Sequence, residues 1–488
     1  MMALPVGEAR KERASLGEKE RVVLNIGGRR FETFRSTLLQ HSGSLLETMF
    51  SDRNRDLLKP DKFGEYFFDR DSTCFEVILN YFRTGKLLLP STINEDLFRE
   101  ECSFFQIEVE HEEEDPIAYT WGKGEHGQLG HGSRQGSSLP KRVTVPCNVV
   151  FVRISLGTSH SCALTRGGQC YSWGYGGDGR LGHCDDNDVL IPRLIEAFKE
   201  HCIAQIDCGE LHTGATTTDG EVYTWGFAKN GRLGYRQTGN QLSPQRVLDR
   251  FTELKISNIS CGGLHTACLS AKGEVFTFGT GKDGRLGLGS EEDMYTPEMV
   301  QSFDRRIVQI VCGGHHTAAL DVDGNVWTFG FDDDGRLGHG VVGHQFLPLV
   351  IESLVRENII QIACGCWHSA ALSADGSIYT WGSCKSGQLG LGDKTSAHLP
   401  RLCLQGLGDR KIREIACGTT HTVAVDHEGT VWAWGKNEDG RLGLGDVDGD
   451  VTTPHAVNIP ERMTHVAASV YGTAAWSVHD NAVYGDDA

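Results

Sequence analysis

From residue 117 onward, hydrophobic and polar positions alternate in short runs and show no helical spacing. The segment IIQIACGCWHSAAL, residues 359 to 372, is typical: β-branched and apolar residues at every second position predict half-buried strands. It is followed by Ala374-Asp375-Gly376 and then Ser377-Ile378-Tyr379-Thr380-Trp381, and an Asp-Gly turn between two alternating runs predicts a hairpin. This succession recurs seven times, each copy carrying an aromatic-Gly pair followed by Gly-[Gln/Arg]-Leu-Gly. The pairs begin at Trp121, Trp173, Trp225, Phe278, Phe329, Trp381 and Trp434, spaced by 51 to 53 residues. A proline follows each aromatic by 19 residues, or by 20 in the last copy: Pro140, Pro192, Pro244, Pro297, Pro348, Pro400 and Pro454. So long a period marks one supersecondary unit copied around a common core. Each unit supplies about four short antiparallel strands, the content of a propeller blade.

The hairpin logic pairs every aromatic-Gly strand with a His-Thr or His-Ser strand before it, but Ile117 to Gly122 has no such predecessor. Met463 to Val478 is the matching half left over. The two are therefore expected to share one blade and close the ring, removing its open edges. Asn481 to Gly485, which looks like the start of a further copy, competes for that position.

The N-terminal quarter has a different pattern. Residues 1 to 20 are mixed-charge without an apolar run and are expected to form a flexible leader, not a signal peptide. Val22 to Ile26 predicts a strand, Gly27-Gly28 a turn, and Arg29 to Phe34 its hairpin partner. Ser44-Leu45-Leu46-Glu47 has capping-box form and opens a helix toward Phe50. Asp71 caps a helix with an apolar stripe of Phe75, Ile78, Leu79 and Phe82, ended by Gly85. A further helix follows Asn94, with Leu97, Phe98 and Phe105 expected inward. Residues 108 to 116 then carry six acidic side chains in nine, a self-repelling spacer.

Two resemblances rest on these segments. GEVFTFGTGKDGRLGLG at 273 to 289 and CGGHHTAAL at 312 to 320 resemble the repeats of the regulator-of-chromosome-condensation propellers, which implies seven blades over residues 117 to 480. The units fall at about 117–168, 169–220, 221–273, 274–324, 325–376, 377–429 and 430–480, with 481 to 488 as a tail. VVLNIGGRRFETFRSTL at 22 to 38 and YFFDRDSTCFEVILNYFRTGKL at 66 to 87 resemble the BTB fold of the potassium-channel tetramerisation type over residues 21 to 107. Ser42 departs from the proline common there. The expected fold is therefore multidomain, a small α/β BTB domain followed by an all-β seven-bladed propeller. No stretch approaches 18 consecutive apolar residues, so a channel is not expected. The BTB resemblance implies self-association, into four or five copies with a dimer as the alternative, and recruitment of a cullin ubiquitin ligase.

The net charge of −18 disfavours nonspecific nucleic-acid binding, because an acidic surface repels phosphate. Five of the sixteen cysteines, Cys208, Cys261, Cys312, Cys364 and Cys417, occupy one repeat position. They read as small buried residues in a reducing, intracellular setting, cytoplasmic or nuclear.

The histidines His160, His212, His265, His316, His368 and His421 fall one per unit, so they surround an axis and do not converge on a metal. Hydrogen bonding within each blade is the expected role. The arginines of the Gly-Arg-Leu-Gly turns, Arg180, Arg232, Arg285, Arg336 and Arg441, are the candidate protein-binding residues on one face, but acidic residues flank most of them and local pairing is the role expected first. The family's plant ultraviolet-B receptor places Trp before its His-Thr pairs, and only Trp367 does so here, so photoreception is not expected. The family's exchange activity on a small GTPase uses a protruding wedge, and units of even length leave little room for one. No cofactor, metal or catalytic constellation stands out. The expected function is a non-enzymatic scaffold that self-assembles and binds a protein client, with regulation of a small GTPase as the alternative.

Overall fold

The computed structural model describes residues 20–55, 57–85, 93, 95–107, 117–146, 149–236 and 239–478. The expected leader, acidic spacer and tail lie outside the described residues, apart from Glu20. The chain divides into two compact units, Met1–Glu113 and Glu114–Ala488.

In the first unit, strands Arg21–Ile26 and Arg29–Phe34 form the expected antiparallel hairpin, and Tyr66–Phe68 adds in parallel to the first strand. The Ser44 hydroxyl accepts from the Glu47 amide at the start of helix Leu45–Phe50. The Asp71 carboxylate accepts from the Thr73 and Cys74 amides at the start of helix Ser72–Thr84, and Gly85 ends it with φ +70°. Phe75, Ile78, Leu79 and Phe82 are buried against Leu24, Ile26 and Phe105. In the last helix, Glu95–Phe104, Phe98 points into this core, but Leu97 is 41% exposed, contrary to its expected inward placement. A residue adjacent to Phe98 lies about 100° around the helix, so the two cannot share a narrow stripe.

The second unit consists of seven four-stranded antiparallel sheets. Six are continuous in sequence: blade one spans 151–194, blade two 203–246, blade three 256–299, blade four 307–350, blade five 359–402 and blade six 412–456. Blade seven joins His465–Ala468 and Gly472–Trp476 to Ala118–Gly122 and Ser137–Arg142. Thr473 stands opposite Trp121 in that sheet. Ring closure by the first and last segments is thus as expected, while residues 481–485 are not described. Each sequence copy straddles two blades, giving two outer-side strands to one and two inner-side strands to the next.

Burial explains the strand order. The second strand of every blade from one to six is buried at all six positions, as in His316–Asp321, so it lies in the middle of the sheet. The prolines sit on the outermost strand, where a missing N–H breaks no ladder. The glycine of each aromatic-Gly pair has φ of +103° to +112°. A Cβ on Gly226 would lie 2.8 Å from the Leu211 carbonyl oxygen, so the close approach of the two middle strands requires glycine here.

Candidate protein-binding face

The inner and second strands are joined by three-residue turns such as 209–211, and the third and outer strands by longer connections such as 227–240 that carry the Gly-Arg-Leu-Gly or Gly-Gln-Leu-Gly segment. In antiparallel sheets both lie on the same face of the ring. The longer connection has 14 residues in six blades and 15 in blade six (436–450), so no blade carries an inserted wedge there.

The backbone of this segment staples neighbouring blades. The Arg180 carbonyl accepts from Thr213 Oγ1 and from Trp225 Nε1, both at 2.9 Å in the next blade. Gln128, Gln388 and Arg336 do the same toward their neighbours. The hydroxyl has one proton and gives it to this carbonyl, so it can only accept from the histidine behind it. His160, His212, His265, His316, His368 and His421 each reach such a hydroxyl through Nε2 at 2.8 to 2.9 Å. The rings are therefore Nε2–H tautomers, with Nδ1 buried and unpartnered. Burial pushes His212, His265, His316 and His421 well below the usual histidine range and His368 down to about 3. This corrects the expectation of bonding within a blade: every one of these bonds crosses to the next.

The five arginines are 0 to 2% exposed. The face is built over their side chains, and three of them pair with a flanking aspartate. Arg180 donates through Nε to the Gly177 carbonyl at 2.9 Å and through Nη2 to Asp178 at 3.0 Å. Arg285 repeats this with Lys282 and Asp283, and Arg441 with Glu438 and Asp439. Arg232 donates to the carbonyls of Lys229 and of Gly263 in the next blade, and burial lowers it to about 10.

Above the arginines lie rings absent from the expected site. Tyr175 stacks over Arg180 at 4.7 Å, Phe227 over Arg232 at 5.0 Å, Phe331 over Arg336 at 4.7 Å and Tyr471 over Arg441 at 5.6 Å. Trp367, 36% exposed, also packs against Arg336 at 4.8 Å. The signal was present in part: in three copies an aromatic stands five residues before the arginine. The result is a face on which aromatic rings lie over buried cations, on the side of the ring where the three-residue turns line a central channel.

That channel, about 910 Å³, is lined by the inner strands. The repeated cysteines Cys208, Cys261, Cys312, Cys364 and Cys417 line it as free thiols. Asp207 lies in it, with its carboxyl pushed up to about 6 by burial, and accepts from Ser155 at 2.9 Å and from the Cys261 amide at 2.7 Å. Among the described residues no group of three or more His, Cys, Asp or Glu is placed to hold a metal ion. No helix among them is long and apolar enough to cross a membrane.

Comparison with known families agrees with this architecture. Residues 22–114 match the BTB/POZ domain, 117–164, 167–216 and 219–269 match the regulator of chromosome condensation (RCC1) repeat, and 274–485 match the RCC1-like domain. The ultraviolet-B receptor UVR8 of Arabidopsis thaliana is 36% identical over 332 residues, covering 68% of this chain and 75% of the receptor. This chain belongs to the RCC1-repeat family. The family's mitochondrial RCC1 domain-containing protein RUG3, also of Arabidopsis thaliana, is 35% identical over 374 residues, covering 70% of this chain and 83% of RUG3. In this RCC1-repeat protein the propeller also shares its fold with Prp20p of Saccharomyces cerevisiae, with a TM-score of 0.65 at 24% identity, covering 75% of this chain and 93% of Prp20p.

Proposed function

We propose that this chain is a non-enzymatic scaffold that assembles through its BTB domain and holds a protein client on the aromatic-arginine face of its propeller. The observation that carries the reading is that face: Tyr175, Phe227, Phe331, Trp367 and Tyr471 stacked on buried arginines. Aromatic and arginine side chains are the residues that anchor protein interfaces, and rings held rigid by packing lose little entropy on binding. Phe34, Phe63 and Phe67 of the BTB unit are 47%, 69% and 59% exposed, which supports burial against further copies of the chain. Four or five copies would add avidity to weak individual contacts. A cullin ubiquitin ligase is the proposed second partner, on the BTB side.

Affinity capture with the full chain, followed by mass spectrometry, tests the client. The reading expects a defined set of proteins that a Trp367→Glu variant of unchanged melting temperature fails to retain. Equal retention by the variant would move the client off this face, and no retention by either would sink the scaffold.

A further inference from the structure

The five Gly-Arg-Leu-Gly turns are internal replicas, and one of them differs. In four, the residue two before the arginine has φ near +60°: Asp178, Asn230, Asp283 and Asp439. This tight turn presents the carbonyl three residues before the arginine to its Nε. In three of the four, the aspartate also takes Nη2. Asp334, at the corresponding position, does not take a positive φ. It pairs with Lys385 of the next blade at 3.3 Å. Asp332 is occupied as well, accepting from the Leu337 and Gly343 amides.

Arg336 is consequently held by a single bond, Nη1 to the Cys366 carbonyl at 2.7 Å, while Nε and Nη2 are buried with no partner. A buried cation with unpaired donors is costly, and such a group in an otherwise satisfied repeat calls for an acceptor. Nε–H and the adjacent Nη2–H point the same way and form the edge of a guanidinium that takes both oxygens of one carboxylate. Phe331 and Trp367 pack against the guanidinium at 4.7 and 4.8 Å, and the Nε–Nη2 edge is the part of it left without a partner.

Resting on the client reading above, we infer that the Nε–Nη2 edge of Arg336 is the receptor for a carboxylate, an aspartate or glutamate side chain on an acidic segment of the protein client. Trp367, 36% exposed and 4.8 Å from the guanidinium, borders this site on the protein surface. The client carboxylate then does in blade four what the turn's own carbonyl and aspartate do for Arg180, Arg285 and Arg441.

The test uses the full chain and random peptides displayed on phage, selected for binding and then resynthesised. The expected result is that bound peptides carry Asp or Glu, and that changing this residue to Asn or Gln weakens binding about tenfold or more. Arg336→Lys, which keeps the charge without the fork, should cause a similar loss, and the amide peptide should then lose nothing further. The peptide series alone is decisive if the protein variant fails to fold. Selected peptides that bind Trp367→Glu poorly yet tolerate Glu→Gln would overturn the carboxylate site and leave the client face standing. Absence of any selected peptide, together with absence of any captured protein, would overturn both.

Discussion

His368 Nε2 donates to Thr422 Oγ1 at 2.8 Å across the junction of blades five and six, and Thr422 passes its own proton to the Gln388 carbonyl at 2.8 Å. With Trp434 Nε1 on the same carbonyl at 2.9 Å, the junction is a fully ordered donor-acceptor chain. Removing one buried partner leaves another unsatisfied. Thr422→Val and His368→Leu are each expected to destabilise the propeller by about 1–3 kcal/mol, and the double variant by less than the sum. Urea unfolding of the three variants checks this, and strict additivity would contradict the linked chain.

The same histidines set a pH dependence. Their folded pKa values are depressed, so the unfolded chain binds more protons below the ordinary value of 6.5. Stability is fully present above about 6.5 and is lost progressively as the pH falls toward about 3, where His368 itself titrates. Asp207 opposes this. Its carboxyl is raised to about 6, so on its own it stabilises as the pH falls from there toward its ordinary 3.8. Five histidines outweigh one aspartate, and melting temperature is expected to drop steadily from pH 7 to pH 4. A His368→Leu profile as steep as the parent's would assign the slope to other groups.

The junction of blades seven and one lacks this histidine. Gly472 stands opposite Gly122, where His421 stands opposite Gly435 in the preceding blade. Ser161 still donates to the Gln128 carbonyl, but a small cavity lined by Gly472, Ser161 and Thr473 adjoins it. Hydrogen exchange is therefore expected to be fastest, among the third strands, at Ala118–Gly122, with Val222–Gly226 and Val326–Gly330 slower. Equal protection around the ring would show that backbone pairing alone holds the closing blade.

The repeat made the propeller legible, because a 51 to 53 residue interval fits no local periodicity. Closure was legible from Trp121, whose strand had no partner before it. Direction across the blades was not: a period says that His160 and Thr213 recur together, not that they meet between neighbours 53 residues apart. The depth of the arginines was hidden for a related reason. Charge in a polar turn suggests exposure, yet rings at Tyr175, Phe227 and Phe331 cover the side chains. The distinct behaviour of Arg336 depends on the φ of Asp334, a backbone property that the motif Asp-Gly-Arg does not reveal, since Asp178, Asp283 and Asp439 precede the same dipeptide.

Assembly is the part of the account on which avidity depends. Phe67→Glu, placed on the exposed side of the BTB sheet, is expected to shift the chain toward monomer without lowering the melting temperature of the propeller. Light scattering and calorimetry on the same sample separate the two effects, and loss of propeller stability would tie the residue to folding.

The mass of the full chain in solution tests the central claim most directly. At micromolar concentration the account predicts a particle of four or five chains of 53.5 kDa, and a monomer at that concentration would contradict a scaffold built by self-assembly.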